Sequence, residues 1–238
     1  MSIPVVFLHA FPYGPTMWEP QLEAVRGHPV LLPDILGFES LERAAAHVLV
    51  EMDQRGWQKA VFVGLSMGGY VIFRLWNLEP ERFSGMVLAD TRATPDTPEG
   101  QRLRLEQAER VRKEGMSFFP EATLKSHLGP TSHAQRPEVV AWARQAQLQA
   151  EPLRVAKSLE ALAQRPDSTP LLPSISVPTL VLVGEEDTLT PPGEARNMAA
   201  RIPDSRMLIL PEAGHLSSRE NPKAFNTALR GFLRELQV

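Results

Sequence analysis

The sequence predicts an α/β protein: a mostly parallel sheet with helices on both faces, interrupted by one helical insertion. Three observations carry that expectation. Short apolar runs recur along the 238 residues and alternate with longer amphipathic segments, the order expected when helices pack on a sheet. Those runs are continuous in their apolarity, as strands covered on both faces must be. The alternation fails once, between residues 91 and 178, where only helix signals occur.

In chain order, strands are expected at residues 5–8, 30–32, 60–63, 85–89, 180–183 and 207–210, and helices at 41–54, 67–78, 193–200 and 222–236. The segment from Met67 to Trp76 is apolar nearly all round, which predicts a central buried helix. Inside the interruption, Thr97-Pro98-Glu99 combines an N-cap, a proline at the first helical position and an acid in the first turn. Pro137-Glu138 opens a second helix, with Val139, Val140, Trp142, Ala143 and Ala146 at helical spacing. Pro166, Pro170, Pro173 and Pro178 close the region. The expected organisation is a core formed by 1–90 and 179–238, with a helical lid insertion at 91–178 that is far longer than an ordinary crossover.

Composition removes several function classes. With 25 basic and 28 acidic side chains the net charge is −3, so neither a nucleic-acid surface nor a polybasic membrane surface is expected. Apolar residues at 43% and charged residues at 22% are ordinary for a globular protein. The absence of cysteine excludes disulfides, thiolate-bound metals and thiol nucleophiles. Histidines and acids show no H-E-x-x-H or comparable ligand spacing, so no metal and no cofactor are expected. The uncharged stretch 1–18 lacks the basic start of a signal peptide, and Pro4, Pro12, Gly14 and Pro15 interrupt it. No other run approaches the roughly 20 apolar residues of a membrane span. A cytoplasmic protein is expected.

The sharpest motif is Gly64-Leu65-Ser66-Met67-Gly68-Gly69, which directly follows one predicted strand and opens the buried helix. A strand–turn–helix setting is the one a nucleophile elbow requires. It projects the Ser66 hydroxyl over the carboxyl edge of the sheet, at the positive end of a helix. A serine hydroxyl needs a base, and the base needs an orienting acid. His215, in Pro211-Glu212-Ala213-Gly214-His215, follows the last strand and reaches that same edge. The other histidines have no such setting. His28, His47, His127 and His133 are expected to be solvated or locally bonded. Asp187, in Gly184-Glu185-Glu186-Asp187, is the favoured acid, with Glu185 and Glu186 as near alternatives. Asp90 is its rival because it also ends a strand; if not the acid, it is expected to serve a hinge or a helix cap.

The order Ser66, Asp187, His215 matches that of the α/β-hydrolases, and the chain resembles that superfamily over essentially its whole length. The likeness is to the lid-bearing esterase, lactonase and C–C hydrolase branch. His9-Ala10-Phe11-Pro12 resembles the family's H-G-x-P oxyanion loop, Trp18 occupies the usual downstream aromatic position, and Asp34-Ile35-Leu36-Gly37 resembles its D-x-x-G stretch. The resemblance implies an oxyanion hole from the Phe11 and Met67 amides, with His9 a structural loop residue. It also implies that 91–178 is a lid over the substrate. Three departures stand out. Ala10 replaces the usual glycine, Phe38-Glu39 follows Gly37, and the family's first hairpin is expected to be missing or vestigial.

The expected function is therefore hydrolysis of a small carboxylic ester or lactone through an acyl-enzyme on Ser66. Serine at the elbow argues against the aspartate chemistry of dehalogenases and epoxide hydrolases. C–C hydrolysis, thioester cleavage and perhydrolysis share the same triad, and a non-catalytic ligand-binding member is the alternative from another class. Ala89-Asp90-Thr91-Arg92-Ala93 resembles the matching segment of 3-oxoadipate enol-lactonase-like proteins. Arg92 pairs with a substrate carboxylate, pairs with a nearby acid, or stays solvated. Phe118, Phe119 and Trp142 of the insertion, with Trp18, are the expected apolar substrate-binding residues.

Overall fold

The computed structural model describes residues 2–236. Its sheet has six parallel strands in the order β2-β1-β3-β4-β5-β6. These are β1 (Val5–Leu8), β2 (Val30–Leu31), β3 (Ala60–Leu65), β4 (Phe83–Ala89), β5 (Thr179–Gly184) and β6 (Ser205–Leu210). All six predicted strands are present, with ends shifted by up to two residues. Side chains alternate between two cores. Val6, Leu8, Phe62, Leu88, Val181 and Val183 point to one face, while Val5, Phe7, Val61, Val63, Leu65, Val87, Leu180 and Leu182 point to the other. Both faces of β1, β3, β4 and β5 are buried, which is why those strands read as unbroken apolar runs. The edge strand β6, expected to be covered on both faces, instead leaves Leu208 and Ile209 exposed.

Helices α1 (Leu41–Asp53), α2 (Met67–Leu78) and, after β5, Pro192–Ala199 cover the first face. The 3-10 segment Pro15–Val25 and the last helix, Pro222–Glu235, cover the second. Ser40 accepts from the Arg43 amide at 3.2 Å and starts α1, satisfying a donor that has no intrahelical partner.

Between β4 and β5 the chain forms α3 (Pro98–Glu114), α4 (Phe119–His127), α5 (Pro130–Gln135), α6 (Pro137–Gln149) and α7 (Pro152–Ala163), and no strand. Thr97 caps α3 by accepting from the Gly100 amide at 3.1 Å, as the sequence predicts. The remaining helices are α8 (Pro192–Ala199), α9 (Ser217–Glu220) and α10 (Pro222–Glu235). Buried polar contacts tie the insertion to the core. Arg74 of α2 donates to Ser168 Oγ at 2.6 Å, and Ser158 of α7 accepts from the Gly37 amide at 2.8 Å. Buried Glu220 accepts from the Gly129 amide and from Ser132 Oγ, each at 2.7 Å. No described helix is long and apolar enough to cross a membrane.

Candidate active site

The carboxyl ends of the strands deliver the candidate residues to one edge, the usual ligand edge of an open α/β sheet. Ser66 follows β3, Asp90 follows β4, Asp187 lies three residues past β5, and His215 lies beyond β6. The turn at Ser66 is sharp, with φ 55° and ψ −112°, a strained setting of the kind found at functional sites. Close approach makes the flanking glycines obligatory. A Cβ on Gly68 would lie 2.0 Å from the Leu8 carbonyl oxygen, and one on Gly64 would lie 2.5 Å from the Gly68 carbonyl carbon.

Ser66 Oγ donates to His215 Nε2 at 2.8 Å, and His215 Nδ1 donates to Asp187 Oδ2 at 2.8 Å. Asp187 also accepts the Thr190 hydroxyl at 2.7 Å and the amides of Leu189 and Thr190. Burial alone would raise the Asp187 carboxyl, but the adjacent His215 and these bonds bring it below the usual carboxylate range. It is thus an ionised acceptor, which fixes the Nδ1–H tautomer of His215 and leaves Nε2 free to accept from Ser66.

Asp90 does not join this chain and accepts no helix-capping bond. Its Oδ1 accepts from the Gly184 amide at 2.8 Å, its Oδ2 accepts from the Ser217 hydroxyl, and it is fully buried. Burial, then the charge of Asp187, pushes its carboxyl well above the ordinary range. Glu186 is occupied by the amide and hydroxyl of Thr131. His9 is buried in the first loop, with Nδ1 donating to the Ala10 carbonyl at 3.0 Å and Nε2 accepting from the Ile35 amide at 2.9 Å.

A cavity of about 210 Å³ opens beside Ser66 and His215. Phe11 and Met67 border it, and their amides have no backbone acceptor among the described residues. Phe119 and Arg92 also line it, whereas three expected substrate contacts lie elsewhere. Trp18 is sealed in the core between Phe7 and Phe225, at centroid distances of 5.0 and 5.9 Å. Phe118 packs outward under Arg110. Trp142 stands one layer back, stacked on Tyr13 at 5.4 Å with Arg219 over its other face. Trp18 is fully buried in the core and Trp142 is partly buried against it, so neither aromatic reaches the cavity.

Nine of the cavity's lining residues were not anticipated, and four of them stand out. Arg104 and Gln107 project from α3 and Tyr70 from α2, while His127, the last residue of α4, is buried rather than solvated or locally bonded. Only Tyr70 carried a signal, on the all-apolar helix beside the elbow. One buried carboxylate serves three arginines here: Asp96 meets Arg92 at 2.6 Å, Arg104 at 2.5 Å and Arg165 at 2.7 Å. Burial would raise Asp96, but these cations hold it below the usual range. Among the described residues no group of three or more His, Asp or Glu side chains could hold a metal ion.

A parallel sheet carrying a serine, a histidine and an aspartate hydrogen-bonded in series on its carboxyl edge defines a hydrolase-like class. The chain belongs to the alpha/beta hydrolase family, whose model matches residues 5–228. It is 27% identical over 241 residues to 3-oxoadipate enol-lactonase 2 of Acinetobacter baylyi, covering 97% of this chain and 88% of that one. Among solved structures it is similar to a thermophilic esterase from Thermogutta terrifontis with malate bound (TM-score 0.97, 39% identity, 100% of this chain and 92% of that one). The enol-lactonase from Burkholderia xenovorans matches with a TM-score of 0.90 and 28% identity, covering 98% and 92%.

Proposed function

We propose that the protein is a serine hydrolase that cleaves small carboxylic esters or lactones through an acyl-enzyme on Ser66. The observation that carries this reading is the unbroken hydrogen-bonded series Ser66–His215–Asp187 at the wall of a cavity. Ser66 Oγ attacks the carbonyl carbon as its proton passes to His215 Nε2. The oxyanion is met by the amides of Phe11 and Met67, and Asp187 stabilises the imidazolium. Collapse of the tetrahedral species breaks the bond to the alcohol oxygen, which takes the proton from His215. In a lactone that oxygen stays tethered to the acyl group. Water, activated in turn by His215, releases the acid and restores Ser66.

Helices α3–α7 act in this reading as the lid that shapes the cavity. The arginine cluster favours an acyl portion bearing a carboxylate. Arg92 and Arg104 line a cavity with no acidic residue in its wall, and Asp96 behind them offsets one of three positive charges. The names of the similar proteins point the same way, since 3-oxoadipate and malate are dicarboxylates.

A fluorophosphonate probe followed by peptide mapping tests the nucleophile, together with p-nitrophenyl esters of graded length beside a lactone panel. Modification on Ser66 with turnover of at least one ester or lactone is expected. An unlabelled Ser66 with no turnover on the panel would overturn the proposal.

A further inference from the structure

The loops that carry Asp187 and His215 are bonded to each other and to one corner of the insertion. The Glu186 amide donates to the Ala213 carbonyl at 2.8 Å, which joins the chain beside Asp187 to the chain beside His215. The corner is the turn from α4 into α5, residues 129–132. Gly129 packs directly on Gly214, the residue before His215. A Cβ on Gly214 would lie 2.8 Å from Gly129 Cα, closer than side-chain carbons approach.

Two carboxylates grip the corner. Glu220 is 2% exposed. Its Oε2 accepts from the Gly129 amide and the Ser132 hydroxyl, each at 2.7 Å, and its Oε1 accepts from the Leu216 amide at 3.0 Å. Glu186 Oε2 accepts from the Thr131 amide at 3.0 Å, and its Oε1 accepts the Thr131 hydroxyl. Backbone amides can only donate, so the sense of the bonds to Gly129, Leu216 and Thr131 is fixed. Each acid thereby ties the insertion to a neighbour of the triad: Glu186 precedes Asp187, and Leu216 follows His215. None of Gly129, Thr131, Ser132, Glu186 and Glu220 lines the cavity.

We infer that Glu220 and Glu186, by clamping the 129–132 corner of the insertion, are positioning residues that hold His215 and Asp187 in register for the proposed reaction. The insertion then has two tasks. Its cavity-lining side chains meet the substrate, while this corner braces the base and its orienting acid from behind. The brace acts on both chemical steps, since His215 moves a proton in each.

This inference rests on the hydrolase reading, and its test separates the two. Glu220→Gln sets an N–H against either the Leu216 or the Gly129 amide, whichever way the new side chain turns. It should lower kcat by roughly 10- to 100-fold, the scale of a small misplacement of reacting groups. The loss should be equal for p-nitrophenyl acetate, butyrate and octanoate, with KM nearly unchanged, because the cavity is untouched. Glu186 is half-buried and gives a milder pair. Glu186→Ala should lower kcat by about tenfold. Glu186→Gln should restore most of it, since its carbonyl accepts the Thr131 amide and its NH2 meets the Thr131 hydroxyl. In protein carrying 15N-histidine, the His215 Nδ1 proton should exchange with water faster in Glu220→Gln and Glu186→Ala than in the wild type. Unchanged kcat, a loss that appears in KM or varies with ester length, no rescue by Glu186→Gln, or equal proton exchange would each overturn the inference while leaving Ser66 chemistry intact. If Glu220→Gln does not fold, the Glu186 pair decides by the same readouts. No wild-type turnover of any ester, together with an unlabelled Ser66, would overturn the hydrolase reading and this inference with it.

Discussion

Asp187 accepts the Nδ1 proton of His215 at 2.8 Å, while Asp90, at the end of the adjacent strand, turns its two oxygens to Gly184 and Ser217. Two aspartates on one edge thus have opposite electrostatic character. Removing the partner of His215 frees the wrong tautomer, so Asp187→Asn should lower kcat by about 10⁴. Asp90→Asn should keep most of the activity, because an amide can still accept from Gly184 and donate to Ser217. Kinetics of both variants on one activated ester check this.

The same pair predicts opposite pH responses of stability. Asp90 is raised in the folded state, so its contribution is fully present below the unfolded value and is lost as pH rises through the folded one. Asp187 is lowered, so its contribution is present above the unfolded value and is lost as pH falls through the folded one. Relative to wild type, the Tm of Asp90→Asn should therefore improve as pH rises above about 4, the ordinary carboxylate range. The Tm of Asp187→Asn should deteriorate relative to wild type as pH rises from below toward about 4, the ordinary carboxylate range. Thermal melts across pH, read as differences from wild type, give both signs.

Ser66→Ala and His215→Ala should each cost nearly all turnover, with losses on the order of 10⁶ in kcat. The double variant should be scarcely worse than either alone, because the two side chains act as one unit. An additive double variant would place His215 outside the reaction.

The arginine cluster separates binding from stability. Arg104→Gln should raise KM for a substrate bearing a free carboxylate and leave its methyl ester much less affected. Asp96→Asn leaves three guanidinium groups without their shared acid, and it should cost about 3–5 kcal/mol of folding stability. Denaturant unfolding measures the second effect and paired-substrate kinetics the first.

Cavity shape rests on Phe119 rather than on its neighbour. Phe119→Ala should shift preference toward longer acyl or alkyl chains, since Phe119 lines the cavity and packs edge-on against Phe11 at 6.0 Å. Phe118→Ala, under Arg110, should leave the chain-length profile unchanged. A p-nitrophenyl ester series compares them directly.

The sheet and the sharp turn were legible because their causes are local. A strand buried on both faces must be apolar at successive positions, as Val61, Phe62 and Val63 are. A turn whose Cβ positions collide with backbone must carry glycine, as at Gly64 and Gly68. The helix that follows β3 was equally legible, since ten successive residues of α2 are buried.

What the sequence determined by itself was the α/β class, the helical nature of 91–178, and Ser66 and His215 as members of one site. Tertiary structure alone decided which side chains of the insertion meet them. Helix α3 buries only Ala108 and Val111, so its sequence carries no face that marks Arg104 as a cavity residue. His127 becomes buried only when Tyr13 from the first loop and Gln147 from α6 close on it. Asp90 and Asp187 both follow neighbouring strands on one edge, and the direction of each side chain shows that Asp187, the one the sequence favoured, meets His215. Strand burial and turn sterics act between residues close in the chain; the cavity's polarity depends on groups that folding brings together from distant segments.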